Sequence, residues 1–101
     1  MSHDQEVLSG QAEFILPAVR PLYEKPLILH KGQGVWVKDV NGREYLDLFA
    51  GILTTSVGHC NPHVVARMTD QLGKLGHTST LYVTEPQVEA SSRLASIAPG
   101  K

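Results

Sequence analysis

His59, Cys60 and His63 fall within five residues of one another, and imidazole and thiolate are the donors that hold zinc. The Asn61-Pro62 pair between them starts a helix, so the two imidazoles need not share a face, and no fourth ligand stands at a familiar spacing. No metal site is expected. His59 reads as a loop residue hydrogen-bonded to backbone or to a neighbour. Cys60, beside a helix N-terminus, has the position of an activated thiolate, but a small buried hydrophobe is the expected role. Thr78-Ser79-Thr80 offers hydroxyls to a phosphate or a substrate, although three hydroxyls in a turn usually satisfy their own backbone. Gly32-x-Gly34 is too short for a dinucleotide fingerprint and precedes a strand instead of following one. The five lysines, Lys25, Lys31, Lys38, Lys74 and Lys101, occupy positions that do not suggest a desolvated nucleophile. No catalytic residue is expected in this chain. Ile52-Leu53 and Leu81-Tyr82 are apolar pairs in segments that should be exposed. Either they pack against further protein or they line a pocket.

Gly34–Pro62 is the stretch that must position these groups. Val35, Val37, Tyr45, Asp47 and Phe49 alternate with Trp36, Lys38, Leu46 and Leu48 at the period of two that a strand imposes. That spacing predicts a hairpin. Its turn is either a type I′ turn centred on Asn41-Gly42 or a type I turn over Asp39–Gly42 closed by a glycine bulge. The second is favoured, because Asp39 can accept backbone hydrogen bonds from the turn's first position. Gly51, Gly58 and the Thr54-Thr55-Ser56 cluster then mark a loop, where function usually sits.

Upstream, residues 1–16 read as an arm or a weak helix over Gln5–Leu16, interrupted by Gly10 and ended by Pro17. Residues 17–60 hold a strap, the hairpin and the loop. Pro17, Pro21 and Pro26 impose extended geometry on the strap, and Leu27-Ile28-Leu29 offers an edge strand, making three short antiparallel strands. Residues 61–101 hold two helices. Asn61 caps the first with Pro62 at its first position, Val65, Met68, Leu72 and Leu75 share one face, and Gly76 ends it. Thr84 and Gln87 form a possible capping box for the second, whose apolar side is Val88, Ala90, Leu94, Ile97 and Ala98, and Pro99-Gly100 stops it. The fold class is α+β.

With 101 residues the chain has room for one small domain. Nine basic and ten acidic residues are interspersed, giving a net charge of −1, so no electrostatic footprint for nucleic acid appears. The single Cys60 allows no intrachain disulfide and points to a reducing compartment. MSHDQEVLSG carries two acids and no arginine, which argues against a secretory signal or a transit peptide. No window supplies the ~18 apolar residues of a membrane span. A cytoplasmic chain with neither nucleic acid nor membrane as partner is expected.

The ordered set Gly32-x-Gly34, Trp36-Val37-Lys38-Asp39, Asn41-Gly42-Arg43-Glu44-Tyr45-Leu46-Asp47, Gly51-Ile52, Gly58-His59-Cys60-Asn61-Pro62, Gln71, Leu75, His77-Thr78-Ser79 and Thr84-Glu85-Pro86-Gln87 resembles the N-terminal part of class III aminotransferases. These are pyridoxal phosphate enzymes of fold type I that include alanine-glyoxylate, acetylornithine, ornithine and 4-aminobutyrate aminotransferases. The resemblance runs from about Pro17 to the last residue. One departure is Asn61, where many relatives have His, and Asn is an equally good N-cap.

The resemblance implies that these residues are part of a larger α/β PLP-transferase fold, acting on an amino acid and a 2-oxo acid, in a homodimer or oligomer. It also implies that the Schiff-base lysine, the acid facing the pyridine nitrogen and the phosphate-cradling turn follow the matched region. Pyridoxal 5′-phosphate then belongs to the full-length enzyme, with none expected on this chain alone, and the isolated chain is expected to be inactive. By the same resemblance Ile52, Leu53 and Thr54 shape the substrate pocket, while Leu81 and Tyr82 lie near the dimer interface and reach the partner's site. The alternative is a non-catalytic interaction or dimerisation module derived from that family.

Overall fold

The computed structural model describes residues 1–100. Lys101, at the end of the span expected to hold the last two helices, lies outside them. The elements run α1 (His3–Phe14), β1 (Leu29–Gln33), β2 (Trp36–Asp39), β3 (Glu44–Leu46), α2 (Ala50–Leu53), α3 (Pro62–Leu72) and α4 (Glu85–Ile97). Chain packing divides them into two units, Met1–Val65 and Ala66 onward.

The first unit is built on a three-stranded antiparallel sheet in the order β1-β2-β3. Gln33 pairs with Trp36, so a two-residue link, Gly34-Val35, joins β1 to β2. Gly34 has φ 57, the left-handed value that a tight hairpin link demands at its first position. Val35 therefore sits in the turn and not in the strand. The edge strand expected at Leu27–Leu29 lies further on, over Leu29–Gln33, because the tight link pins the register from its other end. A bulge between Leu29 and Lys31 absorbs one residue.

The second hairpin closes as the aspartate argument anticipated. Asp39 Oδ1 accepts the backbone N–H groups of Asn41 and Arg43, each at 2.9 Å, and the Gly42 N–H donates to the Asp39 carbonyl at 3.0 Å. Gly42, at φ 84, supplies the left-handed bulge position. Tyr45 pairs with Val37 across the sheet, and its hydroxyl donates to Asp39 Oδ2 at 2.9 Å. On the other face, the Lys38 ammonium meets Glu44 at 3.2 Å. Val37 is the one buried apolar residue among those described, and Asp39 the one buried charge.

The helices bury no residue. The N-terminal arm is helical from His3, and it runs through Gly10 without a break, since one glycine lowers helix stability by only ~1 kcal/mol. The Gln5 side-chain oxygen accepts the Ser2 N–H at 3.0 Å, securing its first turn. α3 begins where expected: Asn61 Oδ1 accepts the N–H groups of His63 and Val64 at 3.1 and 3.2 Å. It ends at Leu72, earlier than expected, as the Lys74 N–H turns back to the Gln71 carbonyl and the Gln71 side chain donates to the Leu75 carbonyl at 3.0 Å. Leu75 thus lies past the helix end, its N–H still donating to the Gln71 carbonyl at 2.8 Å, and Gly76 is not the left-handed cap. Thr84 does occupy the N-cap position of α4, but its side chain makes no capping bond. Val65, Met68, Leu72, Val88, Leu94 and Ile97 remain exposed, so both helices are amphipathic without a covered face.

The Asp39 bonds hold its carboxyl below the ordinary aspartate value of 3.8, the Arg43 N–H contributing most. A depressed folded-state value means that the turn gains stability above the unfolded value and loses it as pH falls through the lower one. In Asp39→Ala, the Asn41 and Arg43 amide proton shifts are expected to move to exposed-loop values at neutral pH while Gly32 and Val37 keep theirs. Nuclear magnetic resonance of the labelled chain reads this directly.

Candidate functional site

Asp47 follows β3 by one residue. Its N–H donates to the Val35 carbonyl at 2.8 Å, which fixes it at the end of the hairpin and ends the strand before Phe49, a residue the alternation had placed in it. Asp47 Oδ1 accepts the N–H groups of Phe49 and Ala50 at 2.9 and 2.8 Å. Its second oxygen, Oδ2, lies 2.6 Å from His59 Nε2, twelve residues along the chain. With the proton on Nε2, the imidazole donates and the carboxylate accepts. Three donors converge on one half-buried carboxylate and hold it below the usual aspartate range, with His59 the largest cause.

His59 is itself locked to the hairpin. The Gly34 N–H donates to the His59 carbonyl at 2.9 Å and the His59 N–H returns to the Gly34 carbonyl at 2.7 Å. The ring lies over Gly32 so closely that a Cβ there would stand 2.8 Å from His59 Cβ and Cγ. A Cβ on Gly58, which has φ 87, would meet the Gly34 Cα at 3.0 Å. Gly32, in the Gly32-x-Gly34 pair that sequence reasoning set aside as a poor nucleotide motif, therefore has a packing role: it leaves bare backbone beneath the His59 ring. Spacing alone carried no signal of this, because the partner lies on another segment.

Between these two anchors the chain makes a left-handed turn. Ala50, Gly51, Ile52 and Leu53 have φ 51, 59, 62 and 61. Each L-residue held there costs ~1–2 kcal/mol, and a β-branched residue such as Ile52 is rare in that region. The turn is closed by the Thr54 N–H donating to the Ala50 carbonyl at 2.7 Å and by Thr54 Oγ1 donating to the Gly51 carbonyl at 2.6 Å. Strain of this kind persists only where surrounding bonds over-determine it. Ile52 and Leu53 are 74% and 83% exposed, displayed by the turn and not packed beneath it.

The remaining sequence candidates separate. Leu81 and Tyr82 belong to the second unit and are exposed there. In that unit Gln71, Leu75, His77, Thr78, Thr84 and Pro86 line a shallow groove, and Thr78 Oγ1 donates to the Ser79 carbonyl at 3.3 Å, a hydroxyl spent on its own backbone. Cys60 is exposed, with φ 51. The expected burial fails because the tight pairing of His59 with Gly34 turns the next residue outward. Among the described residues no three His, Cys, Asp or Glu side chains gather as a ligand set; His59 is engaged by Asp47 instead.

The sequence of residues 19–101 matches the family model described as aminotransferase class-III. The chain is 45% identical over 93 residues to human mitochondrial alanine–glyoxylate aminotransferase 2, covering 92% of this chain and 18% of that protein. It is 54% identical over 72 residues to acetylornithine aminotransferase from Archaeoglobus fulgidus, covering 71% of this chain and 19% of that protein. Its fold superposes on ornithine aminotransferase from Toxoplasma gondii with a TM-score of 0.82 and 27% identity, over 96% of this chain and 22% of that one. The chain thus spans about a fifth of the length of the proteins it matches.

Gly32→Ala is expected to push the His59 ring off the hairpin and separate it from Asp47. The cross-peaks between the His59 ring and residue 32, and the protection of the His59 amide from exchange, should both be lost in that variant.

Proposed function

We propose a function from one premise: the chain belongs to the class-III aminotransferase family. It forms the N-terminal portion of an enzyme that moves an amino group from an amino acid or ω-amino acid to a 2-oxo acid. The observation that carries this reading is the ordered match along nearly the whole chain to the N-terminal fifth of aminotransferases, in sequence and in fold.

Pyridoxal 5′-phosphate supplies the electron sink for that chemistry when bound to the full-length enzyme. The donors described here do not fit it on their own. Lys25 and Lys31 are exposed, Lys38 is paired with Glu44 and Lys74 with Asp70 at 2.7 Å, so none is a desolvated amine. What this chain contributes is shape and contact. Ile52, Leu53 and Thr54, presented on the left-handed turn, are wall residues of the substrate pocket. Leu81 and Tyr82 are a second pair of substrate contacts, reached from a partner subunit in a homodimer or larger oligomer.

The apolar residues left exposed along α3 and α4 support an assembled setting, since such faces are ordinarily covered. They count equally against a self-contained interaction module, which would need a core beyond Val37. No described helix is long and apolar enough to cross a membrane. A cytoplasmic location completes the proposal, supported by the lone Cys60.

Wall residues of this kind sort amino donors by size, each methylene being worth ~1–3 kcal/mol. In the full-length enzyme Ile52→Ala and Tyr82→Ala are expected to raise kcat/KM for a bulkier donor relative to a smaller one by about tenfold or more. Initial rates over a graded series of amino donors measure this; an unchanged ratio in both variants would remove these residues from the pocket. The 101-residue chain alone should show no transamination and leave the absorbance of added pyridoxal phosphate unchanged.

A further inference from the structure

Asp47 touches both ends of the loop that carries Ile52 and Leu53. Its Oδ1 takes the two N–H groups that open the left-handed turn, Phe49 and Ala50, and its Oδ2 takes the imidazole of His59, the residue at which the loop returns to the hairpin. One carboxylate therefore spans both ends of the loop, beside the Gly34–His59 backbone pair that returns it to the sheet. At its far side Thr54 ties only to the turn's own carbonyls. Three consecutive-region L-residues, Ala50, Ile52 and Leu53, hold positive φ, a conformation that relaxes unless something outside the turn maintains it. Among the described residues Asp47 is the one external side-chain acceptor for the turn's N–H groups, and His59 anchors Asp47 through a ring seated on Gly32.

We propose that Asp47 and His59 are positioning residues for substrate selection, a clasp that holds the left-handed turn so that Ile52 and Leu53 face the amino donor. The proposal deepens the aminotransferase reading and rests on it. Neither side chain touches substrate. Asp47 acts by setting the backbone, and His59 acts by fixing Asp47 against the hairpin. Binding sites discriminate by geometry held to fractions of an ångström, so a loosened wall alters selection between donors more than turnover of a small one.

Amide exchange in the full-length enzyme tests the clasp independently of any activity. In Asp47→Ala the Phe49 and Ala50 amides should exchange roughly ten- to a hundredfold faster, as expected for losing bonds to a charged acceptor. The Asn41 and Arg43 amides, bound to Asp39, should keep wild-type rates. Asp47→Asn, which retains a carbonyl acceptor, should recover most of the protection. Unchanged exchange at Phe49 and Ala50, a uniform loss across the sheet, or a wild-type enzyme that fails to protect them would each overturn the proposal. In the full-length enzyme, Asp47→Ala and His59→Gln should compress the kcat/KM ratio between a long and a short amino donor, with kcat for the short donor changing less than KM for the long one. A loop loosened by exchange with an unmoved donor ratio would refute the role in selection while leaving the aminotransferase reading intact. A wild-type enzyme without transaminase activity would instead remove that reading, whatever the exchange rates show.

Discussion

One side-chain contact joins the two ends of the loop in the first unit: the 2.6 Å hydrogen bond between Asp47 and His59, beside the backbone bonds that Gly34 exchanges with His59. Its partners are separated by a loop that has no core of its own, so the contact closes that loop onto the hairpin. It works because the ground beneath His59 is bare. Gly32 leaves room for the ring, and Gly58 leaves room for the Gly34 backbone, which a Cβ at Gly58 would meet at 3.0 Å. A Cβ at Gly32 would stand 2.8 Å from His59 Cβ and Cγ, so the ring would have to shift, and one at Gly58, at positive φ, would press on the Gly34 backbone at 3.0 Å.

The unit is consequently held by directed polar bonds more than by burial. Val37 is its one buried apolar side chain among the described residues, whereas two aspartates, Asp39 and Asp47, each gather several donors. Such bonds contribute on the order of 1 kcal/mol net apiece, more when one partner is charged, too little to offset the ordering of a chain of this length without further burial. The exposed apolar faces of α3 and α4 answer to the same accounting. They add no burial of their own among the described residues.

Much of this was legible in the sequence where the signal is local. The Asp39 turn and the Asn61 cap follow from residues within four positions of each other, and the family membership follows from an ordered set of short motifs along the chain. The edge strand, the end of α3 and the exposure of Cys60 were misplaced because each is decided by a partner distant in the chain or by a turn with no strong residue preference. Gly34-Val35 fixes the register of β1, a property that periodicity in Leu27–Leu29 cannot express. Gln71 pulls α3 to an early close by bonding to Leu75. The clasp itself was half visible: His59 was expected to bond a neighbour, but no spacing rule connects it to Asp47 or explains why residue 32 must be glycine. The left-handed turn was hidden for a similar reason, since Ala, Ile and Leu are among the residues least expected at positive φ.

The central claim is that His59 lies on Gly32 and donates from Nε2 to Asp47, and the most direct measurement is nitrogen-15 spectroscopy of the His59 ring with its proton contacts. The account predicts a ring protonated at Nε2, in slow exchange with water, and with close contacts to the Gly32 α-protons. A freely exchanging ring that shows no contact with Gly32 would contradict it.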